Sequence, residues 1–295
     1  MSYRSGFIAI IGSPNVGKST LMNLLVGQKV SIVSPRAQTT RNRVMGVVTR
    51  PGLQMVFLDT PGVAAARNRL GEYMLGVAYE SLNEVECILF VADATSGIRA
   101  RDEALLEKLR GAKAPVVAAV NKADAASPEQ IEAARAKLGR AGFVGQIVVL
   151  SAKTGENAEE LVSALSSHME EGPQYFPDDM VTDQPERVLV AEIVREKALE
   201  LLSEEVPHGI GVGVEKIGAR EGGRLTDVYA TIYCEREGHK GIIIGKQGAM
   251  LKKIGSLARH DIEWLLGVRV NLQLWVKVKD DWRNKESVLR ELGYE

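Results

Sequence analysis

A chain of 295 residues and formal net charge −1 is long enough for two domains of ordinary size, each with its own buried core. Apolar residues make up 45% and charged residues 25%, which excludes a disordered chain; the near-zero net charge means that any polyanion site must be local. No apolar run approaches the ~20 residues of a membrane span, and Cys87 and Cys234 lack metal-type or redox-type spacing, so both read as buried, reduced thiols of a reducing compartment.

The amino-terminal run FIAIIG leads straight into GSPNVGKST rather than a cleavage site, and reads as a first strand. Over residues 7 to 170, apolar runs alternate with helical patterns at 18–26, 70–83, 101–110, 128–139 and 158–170. Continuous Val/Ile/Leu runs joined by helices predict a mostly parallel, doubly wound α/β sheet buried on both faces. Ligands of such sheets bind at the carboxyl ends of the strands, and there the polar clusters GSPNVGKST, DTPG, NKAD and SAK all fall.

The first cluster has Gly12, Gly17, Lys18 and Ser19 at phosphate-loop spacing between a strand and a helix. Glycines let the backbone turn its N–H groups inward, and the helix terminus adds partial positive charge, so Gly12, Ser13, Pro14, Asn15, Val16, Gly17 and Thr20 frame an anion cradle. Lys18 reaches the outer phosphates and the Ser19 hydroxyl ligates Mg²⁺. In the next cluster, Asp59 suits a water-mediated Mg²⁺ contact, Thr60 and Pro61 follow, and the Gly62 N–H can sense a γ-phosphate. A threonine of the polar, basic stretch SPRAQTTRNRV completes the metal shell, Thr40 first and Thr39 second.

NKAD names the base. Asp124 can accept from guanine N1–H and the exocyclic amine, a donor pair that adenine lacks, while Asn121 and the Lys122 stem brace the purine. Ser151, Ala152 and Lys153 offer a backbone N–H to guanine O6. GTP and GDP are therefore the expected ligands.

Residues 172–187, with three prolines and four acids, read as a linker between domains at 1–171 and 188–295. The second domain reads as α+β: a helix at 188–205, three strands and a helix following GIIIGKQG. That segment carries Lys246 on a glycine turn, but Lys240 stands where a phosphate loop needs its first glycine and Gln247 where it needs a hydroxyl. What remains is Gly-x-x-Gly, Gly245 to Gly248, ahead of a helix, the arrangement that clamps a single-stranded RNA backbone. Over 236–259 six basic residues, Lys240, Lys246, Lys252 and Lys253 among them, face one acid. Trp264 and Trp275 are expected in core and strand packing rather than as base platforms.

The ordered set GSPNVGKS, TTR, DTPG, NKAD and SAK resembles the translation-factor-related GTPases, and within them the Era family, which joins such a domain to a carboxyl-terminal type II KH domain. The resemblance implies GTP hydrolysis, Mg²⁺, binding near the 3′ end of small-subunit ribosomal RNA, and a cytoplasmic role with the pre-30S particle. Val63 stands where Ras-like enzymes carry the water-orienting Gln, so that mechanism cannot be copied. In relatives with the PNVGKS form the residue matching Asn15 helps hold K⁺, which makes K⁺ a candidate second cation and places Asn15 beside Lys18, Thr40 and Gly62 as catalytic candidates. The expected state is a monomer. Two alternatives remain open: an RNA-binding module with GTP as structural ligand, and a signalling GTPase weakly attached to the inner face of the cell membrane through the amphipathic stretch 249–266.

Overall fold

The computed structural model describes residues 3–36, 39–220 and 222–294. The chain forms two compact units: residues 1–31, 40–66 and 74–183 make the first, and residues 32–39, 67–73 and 184–295 the second. Residues 172–183 thus belong to the first unit, where Gln54 binds the Tyr175 and Phe176 amides and the Val181 carbonyl accepts from Val47.

In the first unit the strands β1 (Arg4–Ile11), β2 (Val44–Arg50), β3 (Leu53–Asp59), β4 (Cys87–Asp93), β5 (Val116–Asn121) and β6 (Val144–Val149) lie in the order β2-β3-β1-β4-β5-β6. A two-residue strand β7 (Glu170–Glu171) pairs antiparallel with β1. The run from β3 to β6 is parallel and β2 is antiparallel to β3, an edge strand the periodicity of the sequence does not announce.

The parallel strands read as unbroken apolar runs because both faces are covered. Leu89 and Val91 pack with Leu21 of α1 (Lys18–Val26) and Leu161 of α5 (Ala158–Ser166), whereas Ile88 and Phe90 pack with Leu105 of α3 (Ala100–Leu109) and Leu138 of α4 (Pro128–Gly139). Helix α2 spans Arg69–Glu80, and its residues from Met74 onward belong to this unit. The Cys87 thiol is fully buried, and burial pushes it up to about 12, which keeps it protonated and inert.

The second unit is a three-stranded sheet, β8 (Gly211–Ala219), β9 (Leu225–Cys234) and β10 (Arg269–Val278), in the order β10-β9-β8, with α6 (Glu186–Leu201), α7 (Glu237–Ile244) and α8 (Ala249–Leu266). β8 and β9 form an antiparallel hairpin; β10 returns parallel to β9 through α7 and α8. Ile254, Ala258 and Ile262, spaced by four along α8, are fully buried with Val194 of α6 and Val228, Ala230 and Ile232 of β9. Ile242, Ile243 and Ile244 form the last turn of α7, and a further helix α9 (Glu286–Glu291) follows a turn at Trp282. No helix among the described residues is long and apolar enough to cross a membrane.

Candidate nucleotide and nucleic-acid sites

Gly17, at φ 98°, ends the phosphate loop and caps α1 without any side-chain hydrogen bond, so the first amides of the helix are open to an anion. Lys18 lies back over the loop, donating to the Gly12 and Ser13 carbonyls at 3.1 and 3.2 Å. Ser13 is buried, and its hydroxyl donates to Asp102 at the start of α3, a loop anchor that no local motif reveals. At Gly62 any Cβ would fall 2.9 Å from the Pro14 Cα, so glycine is what allows the two loops to meet. The Thr60 hydroxyl is bound to the Ile10 carbonyl, which makes its side chain a brace for the strand end.

Three hydroxyls converge on Asp59. Its Oδ2 accepts from Ser19 at 2.7 Å, Ser31 at 3.1 Å and Thr40 at 3.3 Å, and the Ser19 and Thr40 oxygens lie 2.9 Å apart. The carboxylate is fully buried and its Oδ1 has no hydrogen-bond partner. A buried, half-satisfied carboxylate amid hydroxyl oxygens is a hard-cation environment, so the residues fit Mg²⁺. Thr40 enters this cluster; Thr39 turns its hydroxyl to the Arg36 carbonyl. Ser31 was missed by the sequence reading, as was Asn23, whose side chain bonds the Val30 and Ser31 backbone and fixes the approach to the cluster.

Electrostatics follow from burial. Desolvation lowers the Lys18 ammonium to about 8, against the pull of Asp59, and raises Asp59 against the opposing Lys18 charge and the three hydroxyls. Bound phosphates and a divalent cation would restore both charges.

At the base-reading end, the Asn121 carboxamide donates to the Val16 carbonyl at 2.8 Å and accepts from the Ala152 N–H at 2.8 Å. Lys122, at φ 67°, donates to the Asn15 carbonyl and pairs with Asp93, both at 2.7 Å. Asp124 is exposed and accepts from Ser151 at 2.7 Å, so one carboxylate oxygen is already oriented while its side chain still faces solvent. Lys153 is exposed beside it. Asp93 also went unnoticed, although it ends β4 on the same sheet edge as the other loops.

In the second unit, Gly245 (φ 73°) and Gly248 (φ 78°) bracket Lys246 and Gln247 in front of α8. A Cβ on Gly245 would come within 2.7 Å of Met250, and Gly248 caps α8 with no side-chain bond, again leaving helix amides open. Beyond it runs a groove of about 460 Å³ lined by Gly248, Leu251, Lys252, Gly255, Ser256 and Arg259 of the helix side and Leu272 and Leu274 of β10. Lys253 is not among its lining residues, and Lys240 pairs with Glu237 on α7. Trp264, 65% exposed, corrects the expectation of core packing, whereas Trp275, 44% exposed, packs on the strands against Tyr229.

Two stretches that flank the nucleotide loops are held inside the second unit. The Val33 N–H donates to Glu196 of α6 at 2.9 Å, Arg36 to the Leu202 carbonyl at 3.0 Å, and Arg195, fully buried, to the Thr39 carbonyl. The Arg69 N–H donates to Asn284.

A doubly wound sheet with a phosphate loop, a hydroxyl-lined Mg²⁺ position and an NKAD base loop, on one chain with a Gly-x-x-Gly unit, defines a guanine-nucleotide-binding protein with a KH domain. Profiles of a 50S ribosome-binding GTPase and of a KH domain match residues 7–122 and 205–283. The chain is 50% identical to GTPase Era of Clostridioides difficile, over 99% of both chains, and 51% identical to GTPase Era of Caldicellulosiruptor saccharolyticus, over 100% of this chain and 98% of that one. A crystal structure of Era in complex with MgGDPNP and nucleotides 1506–1542 of 16S ribosomal RNA superposes with a TM-score of 0.96 at 43% identity, covering 99% of each chain. A tyrosine-to-alanine variant of Aquifex aeolicus Era bound to GDP·AlF4⁻ gives 0.93 at 43% identity and the same coverage. The chain belongs to the Era family of GTPases.

Proposed function

We propose that this chain is a GTP-hydrolysing switch whose grip on the 3′ region of small-subunit ribosomal RNA depends on the bound nucleotide, and that it acts in the cytoplasm on the assembling 30S particle. The observation that carries the coupling is the membership of the second unit: residues 32–39, which run into Thr40, and 67–73, which follow Gly62, belong to the same compact unit as the Gly-x-x-Gly groove. Thr40 and Gly62 themselves belong to the first unit, so a change at either one in response to a γ-phosphate would pull on chain that belongs to the second.

In this reading Lys18 and the open amides of α1 hold the phosphates, Ser19 and Thr40 ligate Mg²⁺ with Asp59 behind them, and Asn121 and Asp124 hold and read guanine. Gly245 to Gly248 and the start of α8 take the RNA backbone, with Lys252 and Arg259 along the groove. Val63 supplies no carboxamide to orient water, so hydrolysis relies on electrostatic stabilisation, with Asn15 as the candidate support for a K⁺ ion. The intrinsic rate is expected to be slow. Single-turnover GTP hydrolysis with and without a 3′ fragment of small-subunit RNA tests the coupling: a rate that responds to the RNA supports the switch, and an unchanged rate reduces GTP to a structural ligand.

A further inference from the structure

The three-stranded sheet of the second unit has two faces, and the RNA reading accounts for one. Val228, Ala230 and Ile232 of β9 and Leu272 and Leu274 of β10 point toward the helices. Their alternates, Tyr229 and Thr231 in β9 and Gln273, Trp275 and Lys277 in β10, occupy the opposite face in register, with Lys216 of β8 opposite Tyr229.

One half of that face is closed by the carboxyl-terminal segment. A Cβ on Gly211 would come 2.9 Å from Leu292 and 3.3 Å from Trp282, and the Lys279 ammonium sits 4.6 Å from the centre of the Tyr233 ring. The other half is open. There Trp275 lies against Tyr229 edge to face, ring centres 5.8 Å apart at 86°, and the Lys216 ammonium stands 5.9 Å from the Tyr229 ring. Gln273 and Lys277, both exposed, flank Trp275 along the strand. Of the nearby acids, Asp227 is held by Arg220 and Asn271, and Glu215 acts on Tyr233 at the closed end.

β10 is the edge strand, so its two faces meet at a free border with no further strand between them. Leu272 and Leu274 line the groove on one side of it, and Gln273 and Trp275 lie on the other. We propose that the open half-face, centred on Trp275 and Tyr229, is a second, base-stacking subsite for single-stranded RNA, filled by nucleotides that continue from the groove over the edge of β10. The proposal rests on the RNA reading of the groove.

The chemistry suits a nucleic acid. An indole held at a fixed angle by a neighbouring ring offers a flat face to any base, the Gln273 amide can donate and accept at a base edge, and Lys216 and Lys277 meet phosphates. Lysine is depleted from the cores of protein interfaces, which disfavours a protein occupant of this cationic patch.

The test uses the full chain with Mg²⁺ and a non-hydrolysable GTP analogue, and two single-stranded RNA probes: one of groove length and one extended at both ends. The extended RNA is expected to bind more tightly to the unaltered protein. Trp275→Ala should remove that advantage, weakening the extended RNA about tenfold or more while leaving the short one within twofold; Lys277→Glu should act in the same direction, and Trp275→Phe should retain most of the advantage. In a Trp264→Phe background the remaining indoles are Trp275 and the fully buried Trp282, so quenching by the extended RNA alone reports stacking directly. An equal affinity for both lengths, or Trp275→Ala without effect on the extended RNA, overturns the subsite. Gly248→Asp serves as the separate control for the groove: if it fails to weaken the short RNA, the groove reading fails instead.

Discussion

Asn121 ties the base loop to the phosphate loop: its carboxamide nitrogen donates to the Val16 carbonyl at 2.8 Å while its oxygen takes the Ala152 N–H. The side chain is 2% exposed, so Asn121→Ala would leave two buried backbone groups without partners, at about 1–3 kcal/mol each. The expected result is a lower melting temperature and a loss of GTP and GDP affinity by about tenfold or more, alike for both nucleotides. Thermal denaturation and titration with a fluorescent GDP analogue check this; unchanged affinity would show that the loops hold their positions without the bridge.

Asp124 is proposed to read the base by polarity. Its Oδ1 already accepts from Ser151, which fixes the plane of the carboxylate for a guanine. In Asp124→Asn an amide N–H would replace an acceptor and confront the donors of guanine, whereas xanthine offers a carbonyl at the amine position. GTP affinity should fall about 100-fold or more and xanthosine triphosphate should become the better ligand. Competition binding with the two nucleotides decides the assignment.

Nucleotide binding should take up a proton above neutral pH. Burial lowers Lys18 to about 8 in the free protein, below its ordinary value, so between about pH 8 and 10.5 the unfolded chain holds more protons than the folded one. Folding stability of the nucleotide-free protein therefore gains from this group as pH rises through that window. Polyphosphate favours the charged ammonium and reverses the shift, so GTP affinity should decline above pH 8 with uptake approaching about one proton. Calorimetric titration at pH 8.5 in two buffers of different ionisation enthalpy measures it; an observed enthalpy independent of buffer would mean that Lys18 is charged in both states.

Asn15 at φ 66° presents its carbonyl to Lys122 at the mouth of the phosphate loop. With Val63 unable to orient water, a monovalent cation beside the phosphates is the simplest source of extra positive charge. Hydrolysis should be faster in KCl than in NaCl at equal ionic strength, and Asn15→Ala should erase the difference while nucleotide still binds. Equal rates in the two salts remove K⁺ from the mechanism.

How much of this was legible depended on sequence distance. Gly12, Gly17, Lys18 and Ser19 are readable because the loop makes its own cradle within eight residues; Asp59 and Asn121 are readable because each ends an apolar strand, and Asp124 because it follows Asn121 in the same short loop. Ser31 and Asp102 work through partners 28 and 89 residues away, and no local pattern marks such pairs. Helix α7 is not announced by local preference, since Gly238 and Gly241 are weak helix formers; packing against α8 overrides that preference. The exposure of the two tryptophans follows from phase rather than from apolar type. Trp264 falls about 200° round α8 from Ile262, and Trp275 falls out of step with Leu272, Leu274 and Val276, so periodicity alone places both outside the core.

A change at Gly248 is expected to separate the two activities. It holds φ 78° at the start of α8, where a Cβ would meet nothing within 4 Å, so Gly248→Asp costs about 1–2 kcal/mol in backbone strain without a clash. The new carboxylate would lie at the open helix amides, beside Lys252 on the groove, and would repel a passing phosphate. RNA affinity should fall sharply while GTP binding in the first unit stays as it was. In the unaltered protein the logarithm of RNA affinity should drop with the logarithm of salt by about 0.7 for each phosphate neutralised, and the variant should show a shallower slope. Filter binding across a salt series gives both quantities. A flat salt response, or equal RNA affinities for the two proteins, would assign the groove to a partner other than a phosphate chain.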